Sequence, residues 1–231
     1  MWKILFMIRN YIGHVVRIVL FNFYFLPWKQ AVKLPIWIIC RNPFREYKKG
    51  HIIIDCEDVS TAMIRIGHRH DFYYRKGISI KNEGTVVFKG KAVIGNDSVI
   101  EVYKGARLQF GERVGVSSSK FFCACDTTIG NRCSIGKGCT IMDTDFHRVK
   151  KVKDGDKEIQ VSKPISIGNE NWLGYECLVM KGVSTPDKCI FSARSVVRGE
   201  YDMPQYSIAG MKQCAEYWTD GYYLDPDDNA L

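Results

Sequence analysis

Among the five histidines of this 231-residue chain, His147 has the setting best suited to moving a proton. It ends the run Asp143-Thr144-Asp145-Phe146-His147, with carboxylates two and four residues back and a polar insertion, Arg148–Lys163, directly after it. A neutral imidazole can take a proton from a weak nucleophile such as a hydroxyl at neutral pH. A lone histidine is more often structural or solvated, and both aspartates also suit turns. The other histidines are His14, His51, His68 and His70. The alternating pair His68-Arg69-His70 has a spacing that could hold a metal, but it stands outside the periodic part of the chain.

That periodic part must position His147. Written in sixes from Cys123, the chain reads Ile129-Gly-Asn-Arg-Cys-Ser, Ile135-Gly-Lys-Gly-Cys-Thr and Ile141-Met-Asp-Thr-Asp-Phe, and then His147. After the insertion the frame resumes with Ile167-Gly-Asn-Glu-Asn-Trp, Leu173-Gly-Tyr-Glu-Cys-Leu and Val179, Thr185, Phe191 and Val197. A separately phased block upstream contains Phe88, Ile94, Ile100 and Ala106. An aliphatic residue every sixth place, followed by Gly and Asn, describes a short strand and a tight turn repeated along a solenoid. Gly and Asn are expected to supply the positive φ of the turns. A period of six does not suit an amphipathic helix. Cys133, Cys139, Cys177 and Cys189 share the fifth place with Ser98 and Ser195, which marks them as small packing residues under the turns.

From about residue 86 to 213 the chain resembles the hexapeptide-repeat acyltransferases. Within them it is similar to the galactoside and maltose acetyltransferase branch and to the O-acetyltransferases of surface polysaccharides. The motifs that carry the likeness are Asp143-Thr-Asp-Phe-His147, the inserted loop, Pro164-Ile-Ser-Ile-Gly-Asn, Asn171-Trp172-Leu-Gly174 and Ser192-Ala-Arg-Ser-Val-Val197. The resemblance implies an all-β fold, a left-handed parallel β-helix with an extruded active-site loop, to which the apolar pattern of the first residues adds an N-terminal α-helical extension. It implies acetyl-CoA as co-substrate, a sugar or glycolipid acceptor, a homotrimer with sites between subunits, and His147 as the base. By the same resemblance Glu158 in the loop orients His147, with Asp145 and Asp143 as rivals, Asp143 also being a candidate acceptor contact. Tyr175 supplies the N–H that meets the oxyanion, and Trp172 lies beside the acetyl and acceptor pocket, unless it merely covers the loop. Gly174, Ala193, Arg194, Arg198 and Lys212 line the coenzyme. The stretches Arg198-Gly-Glu and Gly210-Met-Lys212 depart from the usual family pattern, so the adenosine end of the donor is not mapped. Alternatives within the fold are an amino-sugar N-acetyltransferase and antibiotic acetylation; outside it stand a non-catalytic trimerisation scaffold and a metal enzyme. A β-helix resembling the gamma carbonic anhydrases needs three converging histidines, and the hexads offer one.

The remaining readings concern the ends. Of 33 Lys and Arg, nine fall within residues 1–50 against the single acid Glu46, leaving a neutral remainder with 24 of each sign. The net charge of +8 thus belongs to one very apolar segment, which points to a membrane surface rather than nucleic acid. Its longest charge-free run, Ile18 to Trp28, would span about 17 Å as a helix, short of a bilayer core. An in-plane helix of residues 1–40 on a membrane, or one packed on the rest of the protein or on another subunit, is expected, with Lys3, Asn10, His14 and Arg17 as a polar stripe. The domain limits are then 1–50 for this segment, 51–213 for the β-helix with its loop at 148–163, and 214–231 for an aromatic, then acidic tail. Nine cysteines without a CxxC pair, and no A-x-A-like cleavage site, suggest a reducing cytoplasmic setting at the inner face of a membrane, with no metal.

Overall fold

The aliphatic residues that recur every sixth place line the axis of a solenoid. Ile129, Ile135, Ile141, Ile167, Leu173, Val179, Phe191 and Val197 are all at most 1% exposed. The computed structural model describes residues 2–39, 50–68, 77–151, 157–210 and 216–218. Each hexad makes one short strand and one corner, and three hexads close a coil, so the strands stack into three parallel sheets. Among the described residues, face A has nine strands, from Ile36–Ile38 through Ser134–Ile135, Trp172–Leu173 and Ile190–Phe191 to Ile208–Gly210 and an antiparallel last strand, Glu216–Trp218. Face B has six, from Ser79–Asn82 through Thr140–Met142 to Val196–Val197. Face C has five, from His51–Ile54 to Ile165–Ile167, and single bridges at Ser184 and Glu200 continue it. The register is direct, so Val116, Ile135, Leu173 and Phe191 lie in one inward column. Each such residue is buried by the coil on either side, which is how a chain with such short strands obtains a continuous core.

The corners work differently from the sequence expectation. The positive φ falls on the fourth place of the hexad, at Asp97, Arg132, Glu170, Glu176, Lys188 and Arg194, and not on the Gly-Asn pair at places two and three. The second-place glycines serve close approach instead. A Cβ on Gly168 would stand 2.4 Å from the carbonyl oxygen of Pro186, and one on Gly130 would stand 2.5 Å from that of Gly168. The third-place Asn and Asp form a ladder between coils. Asn131 accepts from the Glu112 N–H at 2.8 Å, Asn169 from the Asn131 N–H at 2.8 Å, and Asp187 from the Asn169 N–H at 2.6 Å. We expect Gly168→Ala to cost about 1–3 kcal/mol through overpacking against backbone that cannot move aside. Gly105→Ala, at a site with open space and φ of +82°, tests strain alone. A chemical-denaturation midpoint unchanged in Gly168→Ala would refute the close-packing account.

The fifth-place cysteines are buried, as their shared position predicts. Cys133 Sγ donates to the Gly168 carbonyl at 3.0 Å, Cys139 Sγ to that of Gly174 at 3.0 Å, and Cys177 Sγ to that of Ser192 at 3.2 Å. Burial pushes the Cys133 thiol up to about 12, which keeps it protonated and inert.

A strand of the solenoid already occurs before residue 50. Helix α1, Trp2–Phe25, and the short α2, Trp28–Ala31, precede a strand at Ile36–Ile38 that already pairs in parallel with Ile64–His68. The helical segment therefore ends before the solenoid's first strand, which the apolar run from Leu34 supplies. That strand is the open edge of face A, and an unpaired edge invites misassociation. The fully buried Asn22 closes it: its Oδ1 accepts from the Ile36 N–H at 3.0 Å and its Nδ2 donates to the Ile36 carbonyl at 2.8 Å. Gln30 donates to the Ile54 carbonyl at 3.0 Å. The helices thus cap the first coil. Among the described residues no helix is long and apolar enough to cross a membrane.

Candidate active site

His147 sits on the edge between faces B and C, where one coil opens to release the loop. Strand Thr140–Met142 ends at Asp143, which is fully buried. Its carboxylate accepts from the N–H groups of Ala124 at 2.7 Å and Cys125 at 3.1 Å, and from the Thr127 hydroxyl at 3.1 Å. Asp143 is thereby committed to holding this corner on the coil beneath. Its position does not support the expected acceptor contact, because both carboxylate oxygens are turned inward and engaged.

The loop leaves as a two-stranded arm. Thr144 bridges Ser162, and Val149–Lys151 pairs antiparallel with Lys157–Ile159. The Asp145 N–H donates to the Val161 carbonyl at 3.0 Å and the Lys163 N–H to the Asp143 carbonyl at 2.9 Å. His147 lies at the base of this arm and is exposed. Glu158 is in the returning strand, opposite Lys150, and its side chain lies outside the described residues. The Asp145 carboxylate is ion-paired with Lys181 Nζ from the next coil, which also donates to the Gln160 carbonyl at 2.5 Å. Lys181 therefore ties both stems of the arm to the solenoid. The sequence reading missed it. It occupies a third hexad place, and only the Ile141–Val179 register shows that it stacks over the Asp143 corner.

A second group gathers on the A–B edge. Tyr175 is 49% exposed, with the Lys137 ammonium 5.9 Å from its ring. Its carbonyl accepts from the Arg194 N–H at 2.6 Å. Arg194 Nε meets the Glu176 carboxylate at 2.9 Å, an exposed pair of little strength that an incoming anion could exchange. Ala193 is exposed beside it. Gly174 is buried, and a Cβ there would stand 2.6 Å from the Ala193 nitrogen. Its glycine is thus required by coil stacking. Trp172 projects from face A, 41% exposed, in register with Ser134 and Ile190.

Two expectations change with the edges. In a three-sided solenoid the B–C edge is opposite face A, so Trp172 does not cover the loop of its own chain. Arg198 follows strand Val196–Val197, and that strand carries the chain across face B, away from Arg194. Arg198 therefore joins His147 on the B–C edge, two coils further along, and not the coenzyme group on the A–B edge. Lys212, residues 69–76 with His70, and the side chain of His68 lie outside the described residues.

No family model matches the chain. A probable acetyltransferase of Mycobacterium tuberculosis is 30% identical over 129 residues, 55% of this chain and 35% of that protein. A polysialic acid O-acetyltransferase of Neisseria meningitidis is 24% identical over 132 residues, 53% of this chain and 61% of that one. The chain thus spans about a third and about three fifths of these curated relatives. The crystal structure of the polySia-specific acetyltransferase NeuO superposes with a TM-score of 0.52 at 21% identity, covering 82% of this chain and 92% of that one. The fold is the left-handed parallel β-helix. In sequence and fold, the chain is similar to the hexapeptide-repeat acetyltransferases, the polysaccharide O-acetyltransferases among them.

Proposed function

We propose that the chain transfers an acetyl group from acetyl-CoA to a sugar hydroxyl of a polysaccharide or its glycolipid precursor. The observation that carries this reading is His147, exposed beside an arm whose stems Lys181, Asp143 and Thr144 lock to the solenoid. In the reaction a nitrogen of His147 takes the hydroxyl proton as the sugar oxygen attacks the thioester carbonyl. The C–S bond then breaks, and the imidazolium returns its proton to the departing thiolate. The N–H of Tyr175 would face the oxyanion. Glu158, rather than the already paired Asp145, is the carboxylate left to orient the imidazole. Ala193 and Arg194, with Trp172 nearby, would take the donor arm. Because these groups and His147 leave the prism from different sides, a complete site requires a second copy of the chain, and a trimer satisfies this. Release of free CoA from acetyl-CoA, measured with and without glycan acceptors, tests the reading. Release that no glycan accelerates would reject it.

The cap supports a place on a membrane. Phe21, Asn22 and Leu26 face the solenoid, whereas Val16, Leu20, Tyr24 and Trp28 are exposed, Trp28 by 71%. A helix apolar on both sides has one face still to cover, and Lys29 and Lys33 border it. Full-length protein is expected to float with vesicles containing anionic phospholipid, less so at high salt. Leu20→Glu with Trp28→Glu should abolish flotation and leave the Asn22 contacts intact. Equal flotation of both proteins would reject membrane contact.

A further inference from the structure

Next to His147 the B–C edge carries an aromatic group with no part in the proton transfer. Phe146 is 46% exposed and its φ is 60°, a left-handed conformation that bulky residues avoid. Among the described residues, the others with positive φ on this edge are Gly105, Gly182 and Gly199. The coil of His147 thus displays a benzyl group in the left-handed conformation that glycine adopts at Gly105, Gly182 and Gly199 of other coils. Such strain at a candidate site is a sign of function.

The ring is held in place. The Phe146 N–H donates to Thr144 Oγ1 at 3.1 Å. The ring meets Tyr103 edgewise at 6.0 Å and Phe122 at 5.8 Å, both half-buried on earlier coils. Further along, the Tyr103 hydroxyl donates to Glu101 at 3.1 Å, and Lys81 Nζ lies 6.0 Å from the Tyr103 ring. Strand register places Lys81, Glu101 and Phe122 in one outward column that continues to Met142 in the coil of His147. At about 4.8 Å per strand, these three steps make a track of roughly 14 Å.

We propose that this track binds the acceptor as an oligosaccharide, with a pyranose face stacked on Phe146 and further sugars running toward Glu101 and Lys81. This rests on the sugar-acetylation reading and deepens it. The residues assigned to the donor, Ala193 and Arg194, lie on later coils, so the acceptor is left the N-terminal side of His147. Aromatic rings match the C–H faces of sugars, and neighbouring carboxylate and ammonium groups match hydroxyls. Both signs of charge occur along the track, which suits a neutral sugar chain over a polyanion.

The test uses full-length protein and hexose oligomers from mono- to hexasaccharide, beside sialic-acid oligomers, with binding read by saturation-transfer NMR. Binding should strengthen from mono- to trisaccharide and favour the neutral series. Phe146→Gly, which relieves the backbone, should weaken oligomer binding roughly five- to tenfold at unchanged thermal midpoint and acetyl-CoA affinity, and Phe146→Trp should restore it. The subsite is overturned if no hexose oligomer binds, if sialic-acid oligomers bind more tightly, or if Phe146→Gly binds as wild type. It is also overturned if that variant only shifts the sedimentation of the assembly, since the ring would then be a subunit contact. Should oligomers bind through Phe146 while no glycan accelerates CoA release, the acetyl-transfer reading alone fails.

Discussion

Replacing His147 with alanine is expected to lower glycan-dependent acetyl transfer by roughly 10²–10⁴-fold, the usual worth of a positioned general base. An alcohol is almost wholly protonated at neutral pH, so without a base its attack leaves a proton on the oxygen as charge builds on the thioester carbonyl. The substitution should do little else. His147 is exposed at the base of the arm, and the bonds that fix this corner belong to Asp143, Thr144, Asp145 and Lys163. Thermal stability and acetyl-CoA affinity are therefore expected to match wild type, placing the loss in turnover. A loss under about fivefold would remove His147 from the mechanism. Lys181→Met supplies a graded comparison. It frees the Asp145 carboxylate on one stem of the arm and the Gln160 carbonyl on the other, and as a positioning change it should cost less than removal of the base while altering the pH profile. A Lys181→Arg variant that restores the profile would separate arm anchoring from a general loss of stability.

The solenoid was legible in the sequence because its core is written at a constant interval. Ile129 and Ile135 state the period, Leu173 and Phe191 repeat it after the insertion, and the shared fifth place explained four cysteines without invoking redox or metal chemistry. The corners were less legible, because Gly and Asn suit positive φ in general. Which place in the hexad adopts it depends on how coils stack, and here stacking needs the glycines for contact and gives the left-handed place to residues such as Arg132 and Glu176. The assignment of residues to edges was also out of reach locally. Arg194 and Arg198 are close in sequence, yet the strand between them spans a face. Lys181 and Asp145 are far apart in sequence because an insertion of arbitrary length separates adjacent coils. The strand at Ile36–Ile38 was hidden for another reason. It precedes the clear repeat and lies in an apolar segment whose composition reads as helix, and its partner at Ile64–His68 stands outside the hexad frame.

The separation of edges leads to the second large expected effect. If the base on the B–C edge of one copy works with the donor groups on the A–B edge of the next, two inactive variants must rescue each other. His147→Ala removes the base and keeps the donor groups. Ala193→Trp keeps the base and fills the path assigned to the donor arm; Ala193 is exposed, so the larger ring need not enter the core. Each variant alone should be close to inactive, because every interface in a uniform assembly repeats the same defect. When the two are co-expressed in equal amounts and assemble at random, a site is intact whenever its base comes from the Ala193→Trp chain and its donor groups from the His147→Ala chain. That combination arises at about one interface in four of a closed ring, so activity should recover to about a quarter of wild type. A site built within one chain predicts no recovery, since every chain then carries its own lesion. A mixed assembly no more active than its parts would therefore return His147, Ala193 and Arg194 to a single chain, contrary to the separation of the A–B and B–C edges by face B.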